Sequence, residues 1–485
     1  MRKVPCTPSR LRPSRRWLLL LMVALAATAA SAGTITVDTS VDDDLADGEC
    51  SLREAIIAAN TDAPRNDCPA GAGADRIVFT LAKGETIALG SPLPTITETL
   101  LVRGPGADLL TIDGQDLHKI LNFDPPAHGS WLGVEELTLT RGFAAYGAAA
   151  ELASGQSAFF RRTLFLANRA SASGGALAIS SSGASGATVE VSECWFNLNQ
   201  SLGSGGGGAI QVLDDGVDLF VDRTTFSGNV AGGANGDGGA LLVQRARVRL
   251  ERSTLSANEA TDSGGAIALH TGSTPAVLAL RDTTVTANRA NTDGDATGAG
   301  GGIHAAVGAN QLTTVELHNS IVAANLDLGP NASPDAFLLA VGQLTVTSSG
   351  FNLIGSNAGA SSFFVAGTPN PDGDFVGTAA VPIAPELNPL ADYGGFAPDH
   401  RPALVVGTPL IDKGSCTGSP SDQRGYGDAV NHLRIVDTAF ANGPGSDGCD
   451  IGAHERAGDP GADPALFSDG FEWGHTLLWT NEAPG

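Results

Sequence analysis

From residue 163 to residue 327 the chain repeats itself about every thirty residues. The segments "RTLFLANRA", "ECWFNLNQS", "RTTFSGNVA", "RSTLSANEA", "DTTVTANRA" and "NSIVAANLD" each place an apolar residue three positions before an asparagine. The pairs are Phe165/Asn168, Phe196/Asn199, Phe226/Asn229, Leu255/Asn258, Val285/Asn288 and Val322/Asn325, with successive asparagines 31, 30, 29, 30 and 37 residues apart. Between them recurs a Gly-Gly followed by alternation: "GGALAIS", "GGAIQVL", "GGALLVQ", "GGAIALH" and "GGIHAAV". A unit this short cannot bury its own apolar face, so copies must stack to make a continuous core.

Apolar residues two apart after each Gly-Gly (Leu177/Ile179, Ile210/Val212, Leu241/Val243, Ile267/Leu269) have the period of a strand with one buried face. A second strand before each asparagine supplies the columns Val189/Leu219/Val248/Leu278/Val315 and Val191/Val221/Leu250/Leu280/Leu317. With a third short strand per copy, the pattern predicts an all-β chain: a single-stranded right-handed parallel β-helix, its rungs about 4.8 Å apart. The less regular alternation of residues 75–114 reads as the first rungs, and the shaft is expected over 77–365. Low aromatic content with 63 glycines fits many tight turns. The asparagines fall where the chain bends; Asn tolerates the left-handed conformation, and stacked amides can bond rung to rung. Cys194 shares a column with Thr163, Thr224, Ser253, Thr283 and Ser320, which makes it an inert small residue rather than a nucleophile.

Residues 1–32 are expected to be a signal peptide. Six basic side chains surround or precede the apolar run "WLLLLMVALAA", and Ala30-Ser31-Ala32 is a small-x-small site with cleavage after Ala32. Cys6 precedes the apolar run and cannot be a lipoprotein cysteine. No later segment has the roughly 20 apolar residues of a membrane span. Removal of the leader leaves 22 basic against 52 acidic residues, net charge −30. That field repels nucleic acid and anionic membrane and tolerates divalent cations. The protein is expected to be secreted or surface-attached, and monomeric. Export permits disulfides, and Cys50/Cys68 and Cys416/Cys449 form close pairs that leave Cys194 alone.

"GECSLREAIIAAN" (48–60) reads as a helix. Ser51 and Glu54 fit a capping box, and Leu52, Ala55, Ile56 and Ala59 share one face. An open sheet end invites edge pairing, so the helix is expected to be a lid over the first rung. A Cys50–Cys68 bond would tether it, worth about 3 kcal/mol in the chain-entropy model. "CSLREAI" resembles the signature of the CSLREA N-terminal domain of exported bacterial β-helix proteins, and the repeats resemble those of polymorphic outer-membrane proteins. The distal block "NPLADYGGFAPDHRPALVVGTPLIDKGS", "SDQRG" and "CDIGAHE" is similar to that family's usual finish. Together these cover most of residues 34–455. The resemblance implies a secreted or surface protein and no single activity. It divides the chain into a cap at 33–76, the shaft, and a loop-rich capping region at 366–457 fastened by Cys416–Cys449 and folded over the far end. A linker and tail follow at 458–485; "LFSDGFEWGHTLLW" resembles a terminal motif of the form DGFESGDTSAW, from which Trp473 and His475 depart. The tail leaves no room for an autotransporter barrel.

No complete catalytic set is evident. "NTDG" (Asn291–Gly294) and Asp214-Asp215 echo polygalacturonase motifs in reversed order and without their Gly-His-Gly and Arg-Ile-Lys partners. Asp237, Asp262, Asp293 and Asp295, in loops before Gly-Gly, would line one edge and could supply the carboxylate pair that glycoside hydrolysis needs. No cofactor is required; calcium would suit "DGDATG" (293–298) or "VDDDLADGE" (41–49) on charge density. Arg162, Glu193, Arg223, Arg252 and Asp282 form one column beside Asp222, Glu251 and Arg281, a ladder of weak pairs. Gln211, Gln244, His270 and His304 point outward from the strand after Gly-Gly, and amides and imidazoles suit sugar hydroxyls. The leading expectation is a binding or structural module contacting glycan or matrix. The alternative is a polysaccharide lyase or hydrolase using the acidic loops.

Overall fold

A computed structural model describes residues 33–456, apart from 127–128, 154, 181–185, 214–215, 271–274, 296, 308–311, 331–332, 341–342, 406, 417, 426–437 and 439. The leader, the Asp214-Asp215 pair and the terminal tail therefore lie outside the described residues. Strand follows strand in parallel through three sheets of twenty, seven and eight strands, a β-solenoid of about 8 turns with a single helix among the described residues. The expected columns hold: Val189, Leu219, Val248, Leu278 and Val315 are successive register partners, as are Val191, Val221, Leu250, Leu280 and Leu317. Leu177, Ile210, Leu241, Ile267 and Ile303 stack likewise in the eight-stranded sheet. All of these are buried. Phe165, Phe196 and Phe226 stack face to face, with centroids 4.3 and 4.9 Å apart, and Leu255 and Val285 continue the column.

The asparagines make a fully buried ladder. Asn168, Asn199, Asn229, Asn258 and Asn288 each donate from Nδ2 to the Oδ1 of the next, at 2.8–3.0 Å, and from the backbone N to the same oxygen. Asn325 hands its two donors to Asp335 Oδ1, both at 3.0 Å. A parallel series runs through the Cys194 column. Cys194 N donates to Thr224, Thr224 N to Ser253, Thr283 N to Ser320 and Ser320 N to Asn352, which ends on Asp374 Oδ1. Burial raises the Cys194 thiol to about 12, consistent with inertness. One expectation needs correcting: the asparagines themselves are not left-handed. The residue before each is: Ala167, Leu198, Gly228, Ala257, Ala287 and Ala324 have φ between 53° and 62°. The amide must aim inward to meet its neighbour, so the preceding residue makes the bend. Left-handed alanine costs about 1–2 kcal/mol, which the ladder offsets.

At the front, Thr34–Val37 already pairs with Asp75–Phe79, so the cap region contributes a strand to the first rung. The helix Leu52–Thr61 (α1) follows it and packs on both. Its capping box is formed: Glu54 N donates to Ser51 Oγ at 3.2 Å and Ser51 N to Glu54 Oε2 at 3.0 Å. Leu52, Ala55, Ile56 and Ala59 are buried, and Cys50–Cys68 is closed.

The distal region differs from expectation. Cys416–Cys449 is bonded, but the described residues between 398 and 453 do not simply cover the far end. They run back along the outside of the twenty-stranded sheet as a strap. Thr225 Oγ1 donates to Pro398 O, Gln423 bonds Thr225 and Thr254, Ala453 N donates to Thr284 Oγ1, and Asn319 Nδ2 donates to Asp450 O. Leu410 and Ile451 pack on Ile321, Ala323 and Leu353 as a second small core. The strands beneath expose Thr and Ser outward, and the strap satisfies them.

Candidate functional site

The strap and the residues just after it carry a cluster of buried charge. Asp422 takes Arg424 Nη2 at 2.6 Å and Glu455 N at 3.0 Å, and the arginine holds this carboxyl below its ordinary range against the pull of burial. Asp399 takes His454 Nδ1 at 2.8 Å, and Asp450 takes Arg456 N at 2.8 Å. His400 Nδ1 faces Asn388 O, so that nitrogen carries the proton and Nε2 accepts from Ser256 Oγ, both at 2.8 Å. His400 ties the strap to the shaft, while the other contacts, which draw on "SDQRG" and "CDIGAHE", brace the distal region on itself. The outward charge ladder is equally structural. Glu193 bridges Arg162 and Arg223 at 2.6 and 3.0 Å, and Asp222 bridges Arg223 and Arg252 at 3.3 and 2.8 Å.

The eight-stranded sheet is different. Ile210–Leu213, Leu241–Gln244, Ile267–His270 and Ile303–Val307 lie side by side and bring two sets of candidate residues together. Asp237, in the loop before Gly238, reaches His270: Oδ2 lies 3.0 Å from Nε2. His270 Nδ1 sits 3.4 Å from Gln244 Nε2 on the preceding rung. The amide can only donate and the carboxylate can only accept, so the imidazole accepts at Nδ1 and donates from Nε2. Gln244, His270 and Asp237 thus form a relay that spans a strand and a loop. Asp237 Oδ1 is fixed by Ser263 N at 2.8 Å. Beside the relay, the His304 ring stacks on Phe337, with centroids 5.5 Å apart and planes within 3°. Its Nδ1 is buried without a partner. Burial, reinforced by nearby His270 and only partly opposed by Asp237, lowers His304 to about 4.

Gln211 is a correction. It is buried, not outward on an open strip, and accepts from Ser173 Oγ. Leu242 and Ala268, between Gln211 and His304 in the same register column, are buried too. The open part of the strip is therefore Gln244, His270 and His304, with Phe337. Among the acidic loops, Asp262 lies close enough to Asp237 to feel it: burial first and that carboxylate second raise its pKa. Asp293 and Asp295 stay out on an exposed turn, where Asp295 accepts from Thr297 N at 2.7 Å and is lowered by that bond. Their oxygens shape the turn, which gives "DGDATG" a local structural role. In "VDDDLADGE", Asp42 takes Arg53 at 2.8 Å and Asp44 takes Arg65, while burial and then the neighbouring Asp47, Glu54, Asp42 and Glu49 raise Asp43; just before the run, Asp38 takes Cys50 N at 2.7 Å.

Compared with known families, characterised proteins and solved structures, the chain matches none. No helix among the described residues is long and apolar enough to cross a membrane.

Proposed function

We propose that this is an exported, CSLREA-type surface or secreted protein whose eight-stranded sheet binds extracellular polysaccharide. The observation that supports it is the relay Gln244–His270–Asp237 set against the His304–Phe337 stack. Fixed donors and acceptors beside a half-buried aromatic pair offer a sugar ring both hydrogen bonds and an apolar face. The strip runs across rungs, so an extended chain could follow it. A glycan-array screen is expected to return a polysaccharide ligand, with affinity falling at least about tenfold in His270→Ala. No binding to any glycan, together with unchanged surface attachment in a deletion strain, would remove this reading. Export predicts a mature N-terminus at Gly33, readable by mass spectrometry of culture supernatant.

A second reading rests on Asp262. Burial and then the neighbouring Asp237 raise Asp262, and unlike surroundings for two adjacent carboxyls are how acid and base roles are separated in glycosidases. It predicts release of reducing ends or unsaturated products from a polysaccharide panel, lost in Asp237→Asn and Asp262→Asn. Unchanged release in both variants would exclude these two as catalysts.

A further inference from the structure

Asp42 and Asp44 have arginine partners, whereas another group of acids has none among the described residues. Asp62, Asp75 and Glu98 are far apart in sequence, and each brings a carboxylate oxygen within 4.8 Å of the other two. Asp75 is 2 % exposed. Its Oδ1 accepts from Gly33 N at 3.0 Å and Ala72 N at 2.7 Å, whereas its Oδ2 is buried and meets no donor other than the Glu98 carboxyl when that group is protonated. Glu98 Oε1 is buried and without a donor as well. Buried carboxylate oxygens crowded in such a place are costly unless a shared proton or a cation meets them.

The third member adds an independent sign of the same demand. Asp62 is the C-cap of α1, with φ 48°, and the last turn of that helix has no basic residue. A carboxylate at the negative end of a helix dipole is unfavourable by itself. Three acidic groups and a dipole end thus converge, and burial, then the Asp62 and Asp75 charges and a hydrogen bond to Asp75, raise Glu98 to about 7, so a cation here would displace a shared proton. If export frees the Gly33 amine, one positive charge would reach Asp75 Oδ1, and three carboxylates would still leave two negative charges over.

We propose that Asp62, Asp75 and Glu98 bind a divalent cation of the calcium class, which clamps α1 to the first rungs of the shaft. Oxygens 2.3–2.6 Å from a central calcium ion lie within about 5 Å of one another, as here, and water can complete the six to eight ligands. Magnesium, with its strict octahedron at about 2.0–2.1 Å, fits so open a triad less well. The site joins three elements: the end of α1, the start of Asp75–Phe79, and the residue two before Leu100–Arg103. Calcium would therefore tie the lid to two successive rungs.

The test uses the full mature chain, stripped with chelator and titrated with calcium chloride in a calorimeter. One binding event per chain is expected, weakened about tenfold or more in Glu98→Gln and unchanged in Asp293→Asn, which alters the other acidic turn. Glu98→Gln relieves repulsion and should fold without metal, so its loss of binding would not reflect unfolding; circular dichroism checks this. Amide exchange over Leu52–Thr61 should slow on adding calcium to the wild type and not to Glu98→Gln. Absence of binding heat and of slowed exchange in the wild type overturns the proposal, as does wild-type affinity in Glu98→Gln.

Discussion

Two outward faces of the same shaft carry similar polar side chains and have opposite fates. On the twenty-stranded sheet, Thr225, Thr254, Ser256 and Thr284 are each met by a strap residue and are buried. On the eight-stranded sheet, among the described residues, Gln244 and His270 meet each other and Asp237, and one nitrogen of His304 has no partner. A face whose hydrogen bonds are closed by its own chain has been assigned to structure. A face that leaves bonding capacity at its surface is the one available to a ligand.

The largest effect should come from breaking the closed face. Arg424→Ala leaves Asp422 buried without its cation and is expected to cost about 3–5 kcal/mol. Urea unfolding should show it, with strap peptides becoming protease-sensitive before the rungs. Phe196→Ala opens the middle of the aromatic stack at about 3–5 kcal/mol and should leave the strap protected. Asn229→Ala strands both donors of Asn199 and is expected to cost about 1–3 kcal/mol per unmet group.

Smaller effects should appear with pH. Burial keeps His304 neutral in the folded chain down to about 4, while the unfolded histidine charges near 6.5, so its contribution to stability is lost as pH falls through that window. Asp335 has the opposite sign. Burial raises it to about 6, so its contribution is present at low pH and lost as pH rises from about 4 to 6. His304→Gln should therefore tilt the dependence of the urea midpoint on pH toward acid, as measured between pH 4 and 6.5. The smallest stability change is expected for His270→Ala on the open face, within about 0.5–1 kcal/mol, while glycan affinity falls. A large loss of stability there would erase the contrast between the two faces.

The shaft was legible because its signal is periodic. Val189, Leu219 and Val248 share one register and one fate, so composition at a fixed spacing reveals the stack. The capping box and both disulfides are local or paired features, and they read as easily. The strap was not legible, because Thr225 and Gln423 stand 198 residues apart and no period links them. Asp237 and His270 were named for separate reasons; only the coil's closure sets one against the other. Gln211 misled because alternation gives a side chain's direction and not what lies over it. The acidic runs stand out in sequence, yet Asp42 and Asp44 have arginines there, whereas scattered Asp62, Asp75 and Glu98 have none among the described residues.

The asparagine ladder has a direction. Every amide passes its donors the same way along the axis, so the last member must accept without donating onward, and an ionised carboxylate is the side chain that does so. Asp335 and Asp374 occupy those two places. They act as terminators: a duplicated repeat inserted upstream of them would inherit a saturated end, while one appended beyond would begin with no incoming donor. Growth of such a shaft by duplication is thereby steered to its interior.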